Sequence, residues 1–400
     1  MLNIEKENRI HSLDSIRGVA AIIVVFYHSI VSFPLIYDAQ NLKTNGSFLL
    51  DLFTYTPLHI LWAGHEAVLL FFVLSGFVLS LPFLKGTAPK YNHYVIRRIC
   101  RIYIPYLIIM FIYIGVITLL GNYNPISGLS PQFNGRWAHP VTLESMKSVV
   151  FMQGLDIGNI NGVVWSLIHE MRISIIFPLI ILIVMKLDSR LALGIGLTGG
   201  MILRLGLYYL SKQMQDPQEA FNIAYFSSTA YYIAFFFFGA VLAKESDKAR
   251  KLVQKLKPYQ KLILFLVALT TISFRWVFPG FYEIGDKGPI VYSLLNETAG
   301  EWIIGIGIVL LLSLVLGSSL ANRILTKKPL VWLGKVSYSI YLVHVMVIML
   351  SARYLSHIIP IEVALLLSPI LTLPIAGLAY RFIEAPAMAL GKRLTSGARK

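Results

Sequence analysis

Ten apolar stretches punctuate the chain, each close to the length needed to cross the ~30 Å hydrocarbon core of a bilayer. They cover roughly residues 16–36, 67–84, 103–120, 164–185, 191–210, 225–243, 262–278, 302–316, 337–351 and 361–380. A soluble fold has no room for so many. Hydrophobic residues make up 56% of the 400, and charged residues only 14%, against about 25% in a soluble domain. A mean hydropathy of +0.69 points the same way. In lipid every backbone polar group must be satisfied within its own segment, and runs of this length achieve that as helices. The expectation is an all-α, polytopic integral membrane protein of about ten transmembrane helices, forming one domain over residues 1–400. The weakest run is 262–278, because "TISFRWVF" sets Arg275 near its end.

The net charge of +15 suggests nucleic-acid binding in a soluble protein. In a membrane protein it has another source, the crowding of basic residues into cytoplasmic loops. A cytoplasmic N-terminus places segments 1–17, 85–102, 186–190, 244–261, 317–336 and 381–400 inside, and these hold 26 of the 35 Lys and Arg residues. The outside segments 37–66, 121–163, 211–224, 279–301 and 352–360 hold six. Arg172, Arg204 and Arg275 fall within spans. Every alternation keeps its sign, so both termini are expected in the cytoplasm. The expected macromolecular partner is the lipid bilayer, with no nucleic acid. The run "KESDKARKLVQKLKPYQK" (244–261) reads as a solvated loop against anionic headgroups. The longest loop, 121–163, is expected outside and is long enough to fold over an outer site. The first apolar run exceeds a signal-peptide core and no small-x-small site follows it, so it reads as a retained span. The lone Cys100 excludes an internal disulfide.

Ionisable groups inside spans cost several kcal/mol, so each marks a candidate site. In "LDSIRGVAAIIVVFYHS" (13–29), Arg17 and His28 are eleven residues apart. That is close to three whole turns, so both project from one face, about 16 Å apart along the axis. Arg17 then sits at the cytoplasmic mouth and His28 at depth. Taken alone, Arg17 reads as an interfacial anchor; His28 reads as functional. In "GHEAVLLFFVLSGFVLS" (64–80), His65 and Glu66 mark the outer edge of a span, while Ser75 and Gly76 suit close helix packing. In "YVIRRICRIYIPY" (94–106), Arg97, Arg98 and Arg101 share one side of a helix entering from the cytoplasm. They are either positive-inside anchors or a phosphate clamp, since Arg presents a planar bidentate donor set. In "VVWSLIHEMRISIIFPL" (163–179), Trp165, His169, Glu170 and Arg172 crowd the outer start of a span. In "GKVSYSIYLVH" (334–344), Ser337, Tyr341 and His344 recur on one helical face. Glu384 in "YRFIEAP" (380–386) reads as a structural partner for a basic residue. His65, His169 and His344 lack metal-ligand spacing, so no metal is proposed. Phosphate-binding glycine loops, HExxH and the Gly-x-Ser-x-Gly elbow are all missing.

These pieces together resemble the integral membrane acyltransferase-3 family, bacterial O-acetyltransferases that modify envelope glycans, exopolysaccharides and some small molecules. The resemblance rests on Arg17 and His28, "LLFFVLSGF" (69–77), "RRICRIYIPY" (97–106), "VWSLIHE" (164–170), "GKVSYSIYLVH" (334–344) and "FIEAP" (382–386), in family order from residue 13 to 386. It implies a ten-span core in the bacterial cytoplasmic (inner) membrane, an acyl-CoA donor, acetyl-CoA foremost, and a carbohydrate hydroxyl as acceptor. No cofactor is expected to stay bound. Residue by residue it marks Arg17 and His28 as essential, Arg97 and Arg101 as functional basic residues, and Glu170 as the acid of the Trp-Ser-Leu element. Two departures stand out. Many members carry Asp where this chain has Leu69, a role Glu66 is placed to take. Nor is the C-terminal SGNH-type esterase domain of some members expected here.

The topology then suggests a division of space. CoA phosphates stay at the inner face near Arg97, Arg98, Arg101 and Arg17. The pantetheine arm lies along the rise from Arg17 to His28. The glycan approaches from outside, toward His65, Glu66, His169 and Glu170. His28 acts as general base or as a covalent acyl relay, with Glu170 orienting it or the sugar; the sequence leaves both versions open. Other readings are an acyltransferase acting on a lipid-linked sugar or small molecule, and a proton-coupled transporter. The last calls for broken helices and internal symmetry, which the sequence does not display.

Overall fold

A computed structural model describes residues 10–41, 43, 46–121, 124–135, 140–153, 160–281 and 289–396. Ten helices dominate: α1 (His11–Ile30), α2 (Gly64–Leu84), α3 (Tyr91–Leu120), α4 (Trp165–Lys186), α5 (Ser189–Gln213), α6 (Pro217–Lys244), α7 (Pro258–Ile272), α8 (Ile290–Gly317), α9 (Lys328–His357) and α10 (Ile361–Leu394). Nine are long and apolar enough to cross a membrane, and no strand occurs among the described residues. The chain is an all-α, multi-pass membrane protein.

The exception is α7, the weakest of the expected spans. Its 15 residues rise only about 22 Å. The helix breaks at Ser273 and resumes as the single turn Phe274–Val277. That turn carries Trp276 to the start of α2, where its Nε1 donates to Glu66 at 2.8 Å. Upstream of α7, the helix Ser246–Lys255 packs against Gly317 at the far end of α8. The seventh expected span is therefore present in two pieces.

Other helices also differ from expectation at their ends. α1 starts earlier and stops at Ile30, because Pro34 opens a separate helix, Pro34–Gln40. α3 and α10 each run on through a π-bulge, Ile99–Tyr103 and Tyr380–Glu384. The Ile102 carbonyl inside the first bulge accepts the Tyr338 hydroxyl at 2.6 Å, so α9 is docked to it. α8 begins twelve residues before the expected 302, which draws Glu297, Thr298 and Glu301 into the bundle.

α6 and α9 are the central helices, with 78% of their apolar windows buried, while α5 at 22% and α10 at 28% face outward. Two close crossings set the core. Gly76 of α2 abuts the Phe236 backbone of α6, so the small-residue packing expected there is realised by Gly76 rather than by Ser75. The other crossing joins α1 to α9. A β-carbon on Gly18 would lie 2.5 Å from the Gly334 backbone nitrogen, and one on Gly334 would overlap the Asp14 carbonyl.

The described parts of the 121–163 segment pack into the bundle. Ser130 Oγ donates to the Val31 carbonyl at 2.9 Å, tying the segment to the end of α1. Its helix Leu143–Phe151 ends against the middle of α3, where Tyr103 and Tyr106 donate to the Val150 and Val149 carbonyls at 2.6 and 3.0 Å. A helix end at membrane depth needs such partners for its last carbonyls.

Candidate active site

The glycine crossing fixes the register of α1 and α9. His28 lies ten residues beyond Gly18, and His344 ten beyond Gly334. The two helices run parallel, so both histidines rise about 15 Å from the crossing. Their rings meet at a centroid separation of 5.2 Å. His344 Nδ1 stands 2.7 Å from the Tyr341 carbonyl. A carbonyl only accepts, so Nδ1 carries the proton and, in the neutral ring, Nε2 the lone pair.

Beside this pair lies a cavity of about 290 Å³. Of the residues singled out from the sequence, His28, His65, Glu66, Trp165 and Tyr341 line it, and the structure adds Tyr27, Gln40, Gln132, Arg275 and Trp276. The Tyr341 hydroxyl donates to the Val163 carbonyl and meets Ser166 Oγ, both at 2.7 Å, which fixes the start of α4 against α9. Trp165 lies parallel to the His65 ring, at a centroid distance of 6.3 Å. Glu66 is buried and accepts from Trp276. His59 stacks on Trp276 at 4.1 Å, and burial lowers its pKa to about 3, so it stays a neutral packing group.

The remaining candidates sit elsewhere. His169 Nδ1 pairs with Thr229 Oγ1 at 2.9 Å, in a buried aromatic nest with Tyr225 and Tyr232. Ser337 Oγ donates to the Gly334 carbonyl at 3.0 Å and supports the helix crossing. Glu170 does not line the cavity. It accepts from Ser75 Oγ at 2.9 Å and pairs with Arg98 at 3.4 Å, and Arg98 also donates to Ser174 Oγ at 2.9 Å. Arg98 thus turns toward α4. Its two companions turn toward the end of α10, Arg97 Nε donating to Thr395 Oγ1 at 2.8 Å and Arg101 Nη1 reaching Met388 Sδ at 3.3 Å. Arg17 pairs with Asp14 at 3.5 Å and lies within electrostatic range of Arg98, Arg101, Glu170 and Glu384. Glu384 accepts from Ser339 Oγ at 2.6 Å. One end of α1 therefore joins an arginine–carboxylate cluster, and the other joins the cavity.

Alanine at Glu170 leaves Arg98 without its carboxylate. Breaking a buried pair costs about 3–5 kcal/mol; the Glu170 side chain retains 18% exposure, which puts the expected loss at the low end. Thermal unfolding in detergent measures it, and an unchanged midpoint refutes the structural role.

Sequence reading missed Glu301. It is fully buried in α8, with both oxygens on His65 Nε2 at 3.0 and 2.8 Å. The available signal was "NETAGEWIIGIG" (296–307), two acids one turn apart at the edge of an apolar run. Glu297 pairs with the intramembrane Arg204 at 2.5 Å, so both acids have tertiary partners inside the bundle. Among the described residues no group of three or more His, Cys, Asp or Glu is arranged to hold a metal ion.

Helices that enclose a histidine-lined chamber above an arginine cluster define a multi-pass membrane protein with a polar interior. A profile of the acyltransferase-3 family, described as an acyltransferase domain, matches residues 10–381. The chain belongs to that family. It is 25% identical to a provisionally named O-acetyltransferase of Staphylococcus aureus strain COL, over 96% of this chain and 58% of the relative. A similarly named protein of strain MSSA476 is 25% identical over 82% of this chain and 53% of its own length. The O-acetyltransferase OatA of strain NCTC 8325 / PS 47 is 29% identical over 33% of this chain and 21% of the relative. The chain spans little more than half the length of the first two. No solved structure matches it.

Proposed function

We propose that the protein is a membrane O-acyltransferase that moves an acyl group, acetyl foremost, from cytoplasmic acyl-CoA to a hydroxyl of an envelope or exported carbohydrate. The observation that carries this reading is the placement of His28. It lines a cavity beside His344, on the same helix whose other end, at Arg17, joins the arginine cluster. With both termini in the cytoplasm of a bacterial cell, that cluster faces acyl-CoA. The ~16 Å rise from Arg17 to His28 matches the reach of a pantetheine arm. The nucleotide then stays inside while its thioester arrives at His28, which serves as the acid–base or acyl-carrying group. Trp165, Trp276 and Tyr27 offer aromatic faces to a sugar ring. Glu170 supports this site from below, through Arg98.

Mass spectrometry of envelope glycans from cells with and without the gene tests the reading. An acetyl-sized mass lost with the gene identifies the acceptor; unchanged glycans refute a glycan acceptor. Arg97 and Arg101 carry the donor side. A charge-assisted hydrogen bond is worth about 1.5–3 kcal/mol, so alanine at either is expected to weaken acetyl-CoA binding about tenfold or more. Equilibrium binding of radiolabelled acetyl-CoA reads this directly, and unchanged affinity removes the phosphate clamp.

A further inference from the structure

Two histidines face the cavity. α1 and α2 touch where the Tyr27 side chain packs on Gly64, so close that a β-carbon there would overlap it. His28 and His65 are the next residues on each helix, and both line the cavity. Each ring has its own backing. Beside His28 is the His344 ring. Behind His65 is Glu301, a buried carboxylate with both oxygens within 3.0 Å of Nε2. A carboxylate in that place holds Nε2–H as donor, leaves the lone pair on Nδ1, and stabilises the imidazolium formed when Nδ1 takes a proton. Glu301 is not left to pair with anything entering the cavity.

We infer that His65, positioned by Glu301, is the acid–base residue for the acceptor hydroxyl, while His28 carries the acyl group. The inference rests on the acyl-transfer reading above and assigns that reaction two imidazoles. In the first half, a ring nitrogen of His28 attacks the thioester carbon. The C–N bond forms, the C–S bond breaks, and the ring proton goes to the departing thiolate. In the second half, His65 Nδ1 takes the proton of the sugar hydroxyl as its oxygen attacks the acyl carbon. The C–O bond forms and the C–N bond breaks. The proton then passes from His65 to the freed His28 nitrogen, restoring both rings. The parallel Trp165 ring beside His65 places a pyranose face next to this base. Glu301 touches no substrate; it is a positioning residue.

The test uses the full chain in lipid nanodiscs. Exchange of label between tritiated CoA and acetyl-CoA reports the first half. Alkali-labile acetate on the envelope glycans of cells expressing each variant reports the whole reaction. Glu301→Gln and His65→Asn are expected to keep exchange within about threefold and to lose about 100-fold in transfer, the scale of general base catalysis. His28→Ala is expected to lose both. Retained exchange itself certifies folding; His65→Gln replaces His65→Asn if the latter is not monodisperse. Transfer near wild type in both variants overturns the inference. So does loss of exchange to the His28→Ala level in monodisperse Glu301→Gln. Wild-type protein that acetylates glycans without exchange overturns the two-imidazole route and leaves acyl transfer standing. Wild-type protein that does neither overturns acyl transfer itself.

Discussion

Alanine at His28 is expected to cut acyl transfer by about 10³-fold or more while leaving the protein folded. General acid–base groups contribute about 10²–10⁴ in rate, and a covalent carrier has no substitute. The fold loses little. His28 lines an open cavity rather than filling a packed core, and the Ser32 Oγ bond at the end of α1 goes to the His28 backbone carbonyl at 2.9 Å, which alanine retains. Expression and thermal midpoint in detergent are therefore expected near wild type. Acetate transferred per mole of purified protein is the measurement; a His28→Ala variant with wild-type transfer would falsify every role given to this residue.

The second large effect is structural. Alanine at Gly18 places a β-carbon 2.5 Å from the Gly334 nitrogen and 2.6 Å from the Leu333 carbonyl carbon. Backbone atoms cannot swing aside, so α1 and α9 must part. Overpacking of this kind costs about 1–3 kcal/mol, and more where backbone must move. Function is expected to fall further than stability. The parting occurs ten residues below His28 and His344, and a small tilt there displaces their rings. Gly199→Ala is the control: no atom lies within 4 Å of its β-carbon position, and mid-helix Gly→Ala is worth about 0.5–1 kcal/mol in the opposite direction. Thermal unfolding of the two variants side by side decides the matter. Equal midpoints would show that the crossing tolerates separation.

The helical membrane architecture was legible because length and hydropathy act locally, run by run. Arg17 and His28 were legible because eleven residues is close to a whole number of turns. Arg98 and Glu170 were harder, for a rotational reason. Neighbouring residues on a helix point about 100° apart. Trp165 and His169, one turn apart, turn toward Tyr232, while Glu170 turns to Ser75 and Arg98. Arg98 likewise leaves the face of Arg97 and Arg101, and the π-bulge that begins at Ile99 adds a further twist. Glu301 and the outer turns of α8 read as loop because their polar residues depress hydropathy. Only the tertiary partners, His65 and Arg204, reveal why those acids are buried. The Leu143–Phe151 helix was unreadable for the same reason, since its place depends on two tyrosine hydroxyls from another helix.

The α1–α9 crossing also sets an order of events in biosynthesis. Helices enter the bilayer as they are made, from the N-terminus onward. α1 arrives well before α9, with Arg17 and His28 on one face, yet it is His344 of α9 that meets His28 there. While the intervening helices are made, His28 waits in the membrane without its neighbour His344. Any chain released before residue 344 holds His28 in a half-built chamber. The His28–His344 pair thus doubles as an assembly mark: it forms only once α9 has been inserted beside α1.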